Sequence, residues 1–244
     1  MEFIHTPSGI AVLKDDSSTQ PITHIIGIGR NYDAHAREQG ATPPDRPMVF
    51  TKNPAAGILH NESIVIPKIC RDPDTGGPAQ VDYEAELGVI LGTAVRDVDI
   101  EHALEHVLAI CCVNDVSARW WQKQGAGGQY CRGKGFDTFC PIGPRPVGLD
   151  EITDIQNLRI ICRVNGTVMQ QDSTASMIFP VGALIAELSR ATTLLPGTLI
   201  CTGTPSGVGM ARTPPVFLKD GDSVEVEIEG IGLLRNPVVN DSFL

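Results

Sequence analysis

A β-rich α+β fold is the class that this 244-residue sequence predicts. Three observations predict it. Short runs rich in Val, Ile and other strand-forming residues recur along the chain. Between them lie 25 Gly and 18 Pro, spread out rather than pooled in one linker. Segments with helical spacing are few and short. With 42% apolar and 20% charged residues, the chain can bury a sizeable core. The expected organisation is a small N-terminal hairpin over 1–20 and a single domain over 21–244.

Strands are expected at Ile22–Ile28, Met48–Thr51, Ser63–Ile66 and Val81–Leu91. Further strands are expected at Leu158–Val164, Leu199–Thr202, Ser223–Glu229 and Ile231–Arg235. Each is short, and Gly, Pro, Asn or Asp residues punctuate the series. Tyr32–Gln39 reads as a short helix. Asp99–Leu108 starts on an Asp suited to an N-cap and predicts a second helix. Ser117–Gln124 predicts a third. Pro180–Ser189 predicts a fourth, with its Pro in the first turn and apolar residues at helical spacing. Residues 70–80, with Asp-Pro-Asp-Thr-Gly-Gly-Pro at their centre, read as a loop.

A net charge of −10 argues against nucleic acid or an anionic membrane surface as a partner. A small anionic substrate stays open, because local Arg and Lys can override the global field. No uninterrupted apolar run approaches the ~18 residues of a membrane span. Met-Glu-Phe-Ile-His-Thr-Pro at the N-terminus lacks a basic region followed by an apolar run. Seven Cys are scattered without a Cys-x-x-Cys pair. They read as small buried hydrophobes in a reducing, cytoplasmic setting.

Three carboxylates carry the chemistry. Glu84 and Glu86 lie two apart in Asp-Tyr-Glu-Ala-Glu-Leu, so on a strand they share a face opposite Tyr83, Ala85, Leu87 and Val89. Two anions side by side in an apolar strand need compensation, and a divalent cation is the simplest. Oxygen ligands suit Mg²⁺ or Mn²⁺, with Ca²⁺ as a third candidate. Asp115 lies in Asn-Asp-Val-Ser-Ala-Arg; on a helical turn Asp115, Arg119 and Gln122 would share a face, or Asp115 and Arg119 would form an ordinary i,i+4 pair. His35 and Glu38 sit at i,i+3, either a carboxylate-oriented base or a solvated polar pair. Lys134 lies between Gly133 and Gly135, where backbone can approach a ligand closely. Thr202-Gly-Thr-Pro-Ser-Gly-Val-Gly offers hydroxyl and N–H groups as a carboxylate cradle, or is only a turn. Neither a phosphate loop nor a dinucleotide loop is present.

Seven segments, taken in order, resemble the fumarylacetoacetate hydrolase family. They are Gly-Arg-Asn-Tyr-x-x-His-x-x-Glu at 29–38, Phe-x-Lys at 50–52, Asp-Tyr-Glu-x-Glu-Leu at 82–87 and Asn-Asp-Val-Ser-Ala-Arg at 114–119. Lys-Gly-Phe-Asp-Thr-Phe at 134–139, Val-Asn-Gly at 164–166 and Thr-Gly-Thr-Pro-x-Gly-Val-Gly at 202–209 complete the set. The resemblance implies a roll of mixed β-sheets with peripheral short helices, and a homodimer. It implies a metal on Glu84, Glu86 and Asp115, catalytic His35, Glu38 and Lys134, and substrate contacts from Lys52, Arg119, Gln122 and Thr204. His35 and Glu38 would lie on a segment able to order over the substrate. The chain is similar to the compact acylpyruvase and oxaloacetate decarboxylase branch. The implied activity is metal-dependent C–C hydrolysis of a small 2,4-dioxo acid, such as fumarylpyruvate or acetylpyruvate, to pyruvate and a carboxylic acid. Oxaloacetate decarboxylation and isomerisation or hydration of an unsaturated 2-oxo diacid need the same enolate. A binding protein without turnover, or a structural Ca²⁺ protein, would not need His35, Glu38 and Lys134.

Overall fold

The computed structural model describes residues 1–71 and 78–242. Residues 72–77 of the expected 70–80 loop lie outside the described residues. The chain is strand-rich, as the sequence predicts, and a curled mixed sheet of seven strands forms its centre. Their order is Met48–Lys52, His24–Gly29, Thr198–Cys201, Ala85–Leu91, Val107–Asn114, Cys140–Val147 and Gly57–Ile58. His24–Gly29 runs parallel to Thr198–Cys201, while Ala85–Leu91 is antiparallel to both its neighbours. A five-stranded sheet runs Thr167–Ser173, Arg159–Val164, Ser223–Ile228, Gly232–Asn240 and Ile64–Ile66. Glu2–Thr6, Gly9–Leu13 and Thr19–Pro21 make a third sheet at the N-terminus, where the sequence predicts a hairpin.

The inner strands of the central sheet are buried on both faces, and side-chain alternation shows it. Ile26, Leu87, Val89, Ile110, Cys112 and Ile200 enter one apolar cluster with Ile160, Cys162, Val226 and Ile228 of the five-stranded sheet. Their strand neighbours Ile25, Ile90, Cys111, Val113, Leu199 and Cys201 enter a second cluster with Ile10 and Val12 of the N-terminal sheet. A strand covered on both faces reads as a continuous apolar run, without alternation. This is why Val107–Asn114 escapes the strand pattern. The helix expected over Asp99–Leu108 is instead a 3₁₀ turn at Ala103–His106 that delivers this strand. Here central pairing with both neighbours overrides the local helical signal.

Two further expectations are corrected, and one strand appears where none was expected. Ser117–Gln124 is not a helix: Ser117–Ala118 pairs with Val81–Asp82, and Trp121–Gly125 forms a single π-helical turn. Cys140–Val147 is a strand despite Pro141, Pro144 and Pro146, its register shifting where it pairs with Val107–Asn114. The expected strand Val81–Leu91 is interrupted at Tyr83 and Glu84. There the Glu84 N–H is taken by the Asn114 side chain and its carbonyl by the Asp115 N–H. Helices Asp33–Glu38, Tyr130–Lys134 and Val181–Ser189 lie where the sequence places a helix, in the first and last cases, or where it placed none, in the second. Among the described residues no helix is long and apolar enough to cross a membrane. All seven Cys are free; six are buried, and Cys131 is exposed.

Candidate active site

The site lies at one end of the central sheet, where Val107–Asn114 and Thr198–Cys201 finish and Ala85–Leu91 begins. Antiparallel pairing sets Val113 opposite Glu86 and Asn114 opposite Ala85. The next residue, Asp115, therefore arrives beside the two glutamates. Ligand oxygens of Glu84, Glu86 and Asp115 all fall within 4.8 Å of one another, and all three residues are buried. Tyr83, Ala85, Leu87 and Val89 pack into the core on the opposite face, as period-two alternation requires.

Cations surround two members of the triad. Lys134 Nζ donates to Glu84 Oε2 at 2.7 Å, Asp115 Oδ2 at 2.5 Å and Ser117 Oγ at 2.8 Å. Lys52 Nζ donates to Asp115 Oδ1 at 2.5 Å. Arg119 bridges Asp82 Oδ2 at 2.8 Å and Glu84 Oε1 at 2.7 Å, and reaches Gln122 Oε1 at 3.1 Å. Burial works against the Glu84 charge, but Lys134 and Arg119 outweigh it and hold its carboxyl well below the usual range. Burial likewise works against the Lys134 charge, and Asp115 and Glu84 more than restore it.

Glu86 is the exception. Among the described residues its carboxylate accepts a hydrogen bond from the Gly203 N–H at 2.8 Å and pairs with no side-chain cation. Burial, then the charges of Asp115 and Glu84, push its carboxyl well above the ordinary range. A buried carboxylate lacking a counter-charge, beside two others offering hard oxygen donors, fits a divalent cation.

His35 and Glu38 form the expected pair on helix Asp33–Glu38. His35 Nδ1 lies 2.6 Å from Glu38 Oε1, and Glu38 Oε2 accepts the Gly207 N–H at 2.8 Å. Nδ1 therefore carries the proton in the assigned tautomer, and Nε2 is left as the acceptor. Gln39 Nε2 sits 2.9 Å from that Nε2 and caps it. His35, Glu84, Glu86, Arg119, Gln122, Lys134 and Thr204 share one small cavity of about 20 Å³, the room of one water molecule. Lys52 and Asp115 stand behind this wall. A larger groove of about 540 Å³ runs between residues 45–47 and helix Val181–Ser189. Converging ionisable groups mark the smaller cavity as the chemical one.

The motif readings are refined by this geometry. Asp115 and Arg119 do not share a helical face, because the intervening residues are extended and Arg119 turns to Asp82 and Glu84. The 202–209 loop does cradle carboxylates, and they belong to the protein. Gly203 holds Glu86, Gly207 holds Glu38, and Gly209 and Met210 hold Asp82. Thr204 Oγ1 already donates to the Ala85 carbonyl and accepts from Gln170. The close approach allowed by Gly133 is to protein backbone: a Cβ there would clash with the Gln122 N and lie 2.8 Å from the Ala118 carbonyl. Trp120 and Trp121 are half-buried, their rings edge-on at 5.1 Å. Asp82, Arg30, Gln39, Phe50 and Tyr130 were not read as site residues. Asp82 was legible by strand alternation with Glu84, and Gln39 by its i+4 spacing from His35.

The fold and the acidic site together define the class: the chain belongs to the fumarylacetoacetate hydrolase family. The family model "Fumarylacetoacetate (FAA) hydrolase C-terminal" matches residues 24–239. Oxaloacetate tautomerase FAHD2A, mitochondrial, of Bos taurus is 43% identical over 222 residues, which are 90% of this chain and 68% of that protein. Fumarylpyruvate hydrolase from Pseudomonas aeruginosa, solved with Mn²⁺ and pyruvate, superposes with a TM-score of 0.82 at 28% identity, covering 98% of this chain and 99% of that one. The 2-hydroxyhepta-2,4-diene-1,7-dioate isomerase of Mycobacterium marinum gives a TM-score of 0.76 at 35% identity, covering 96% and 79%. The Mn²⁺ in a relative and the buried triad here fit a divalent metal cofactor.

Proposed function

We propose that this chain is a divalent-metal enzyme acting on a small 2-oxo acid through its enolate, with oxaloacetate keto–enol tautomerisation as its reaction. The observation that carries this is a carboxylate-oriented imidazole lining the same small cavity as Glu84 and Glu86 of the acidic triad. Glu84, Glu86 and Asp115 would hold the cation, which when bound polarises substrate oxygens as a Lewis acid. Glu38 fixes the His35 tautomer, so Nε2 is the proton acceptor. Nε2 takes the proton from substrate C3, and the same proton is returned at the C2 oxygen, giving the enol. Gln39 must leave Nε2 for this to happen, so entry of substrate moves the end of helix Asp33–Glu38. Lys134 acts on the developing anion through its charge, since its three N–H groups are engaged by Glu84, Asp115 and Ser117. Arg119 and Gln122 orient the substrate from the facing wall.

Hydrolysis of an acylpyruvate is the second reading, supported by the pyruvate-bound fumarylpyruvate hydrolase of the same fold. There His35 Nε2 takes a proton from water as it attacks the C4 carbonyl, and the C3–C4 bond breaks to the enolate of pyruvate. A homodimer belongs to the proposal, and light scattering on the purified chain tests it. Seven free thiols fit a reducing compartment, the cytoplasm by the sequence reading, while the Bos taurus relative is named mitochondrial.

The test follows enol decay of oxaloacetate, and pyruvate release from oxaloacetate, acetylpyruvate and fumarylpyruvate, with Mg²⁺ or Mn²⁺ and with chelator. Metal-dependent enol–keto exchange without pyruvate release is the expected result. Pyruvate from the acylpyruvates alone would move the assignment to hydrolase, and from oxaloacetate alone to decarboxylase. Inactivity on all three would overturn the enolate reading for these substrates.

A further inference from the structure

Among the described residues, the cavity lining holds one cation without an ion pair. Lys52, Lys134 and Arg119 are each bonded to buried carboxylates. Arg30 lines the same cavity, half-buried, with its Nε buried and without a hydrogen-bond partner. Among the described residues its guanidinium makes no ion pair, in a chain where 29 acidic residues outnumber 19 basic ones. A buried polar group left unpaired in this way is costly unless a partner arrives.

The backbone has been shaped to put it there. Arg30 has φ of +58°, the left-handed region that a residue other than glycine seldom enters. The next residue locks this turn. Asn31 donates to the Phe179 and Thr202 carbonyls at 3.0 and 2.8 Å and accepts the Phe179 N–H at 2.7 Å. Lys123, on the π-helical turn that also supplies Gln122, is a second cation with no partner among the described residues. Its ammonium is held below its usual range by burial and by the like charges of Arg119 and Arg30. Lys123 is exposed and lies outside the cavity lining, and Arg119 is neutralised by Asp82 and Glu84, so Arg30 is the cation of this cavity left for a ligand among the described residues.

We propose that Arg30 binds a second carboxylate of the substrate, so that the enzyme selects dicarboxylic over monocarboxylic 2-oxo acids. This rests on the reading of the cavity as a 2-oxo acid site. The carboxylate and 2-oxo group of the substrate belong at the acidic triad, and the far end of the molecule meets the guanidinium. A planar fork of N–H donors matches a carboxylate in two parallel hydrogen bonds, which an ammonium cannot reproduce.

Arg30→Gln and Arg30→Lys are compared with the wild type in Mn²⁺, using two pairs of compounds. Fumarylpyruvate and acetylpyruvate, a dicarboxylate and a monocarboxylate, are compared by kcat/KM. Oxaloacetate and pyruvate, which differ by one carboxylate, are compared by calorimetric Kd. Arg30→Gln is expected to lower the dicarboxylate-to-monocarboxylate preference by about 30-fold in at least one pair, the range of a charge-assisted hydrogen bond, mainly through KM or Kd. Arg30→Lys should lose less. Preferences within about threefold of wild type in both pairs, or equal losses on both members of each pair, would overturn the assignment. Melting curves establish that the variants fold. Arg30→Asn, which tolerates left-handed backbone, replaces Arg30→Gln if it does not. The tautomerase reading expects no pyruvate from either acylpyruvate; in that case the Kd pair alone decides Arg30, while absence of enol–keto exchange on oxaloacetate would separately overturn the proposed reaction.

Discussion

Glu86 and Asp115 show how two carboxylates of one triad differ in what they do for the fold. Asp115 is bonded to both Lys52 and Lys134, whereas Glu86 rests on one backbone N–H. Asp115→Asn strips two buried ammonium groups of their shared anion and should cost about 3–5 kcal/mol. Glu86→Gln removes an unpaired charge and keeps an acceptor for Gly203. In chelator its melting temperature should match or exceed wild type, while the stabilisation by added Mn²⁺ should be lost. Thermal melts with and without metal check both, and a Glu86→Gln protein that melts early in chelator would contradict the charge argument. His35→Ala should lower turnover by about 10²–10⁴-fold while metal affinity by calorimetry stays at the wild-type value. Near-normal turnover would remove His35 from the role of base. Glu84, Glu86, His35 and Glu38 were legible because residue type and local spacing alone place them. Arg30 was not, since its significance lies in having no ion-pair partner among the described residues, which only the packed site reveals.

At the scale of elements, helix Tyr130–Lys134 depends on its fit to the π-helical turn Trp121–Gly125. Gly133 makes that fit, because any Cβ would strike the Gln122 backbone. Gly133→Ala should destabilise the fold by about 1–3 kcal/mol, the usual cost of overpacking, measured by urea unfolding. The same variant should lower turnover in native conditions, because Lys134 leaves the site together with its helix. Unfolding curves that coincide with wild type would mean that the contact is relaxed at no cost. Helix Asp33–Glu38 is tied to the 202–209 loop through Glu38 and Gly207, and Gln39 at its end caps the base. Its six residues are too few to be stable alone, so tertiary contacts hold it. The helix itself was readable from spacing. The helical reading of 99–108 failed because a strand sandwiched between two apolar clusters carries no alternation to compete with a helical pattern.

At the scale of the whole molecule, the triad keeps one carboxylate, Glu86, with no counter-charge among the described residues, and the fold is expected to gain stability when a cation meets it. Mg²⁺ or Mn²⁺ at about 100 times its Kd should add about 2.7 kcal/mol. For a chain of this length that is a rise in melting temperature of roughly 5–10 °C, reversed by chelator and read by scanning calorimetry. No shift at saturating metal would argue against a folded-state cation site. The sequence by itself determined the β-rich class and, through the order of its motifs, the family, and it set Glu84 beside Glu86 and His35 beside Glu38 through periods of two and about 3.6, which a chain carries locally. Asp115 joined the two glutamates only through the family resemblance. Only the tertiary structure decided the rest. It showed that Arg119 pairs with Asp82, that the glycine loop holds the protein's own carboxylates, and that Glu86 and Arg30 have no counter-charge among the described residues. Those are sums over neighbours far apart in sequence, and electrostatic compensation exists only once the chain has folded around them.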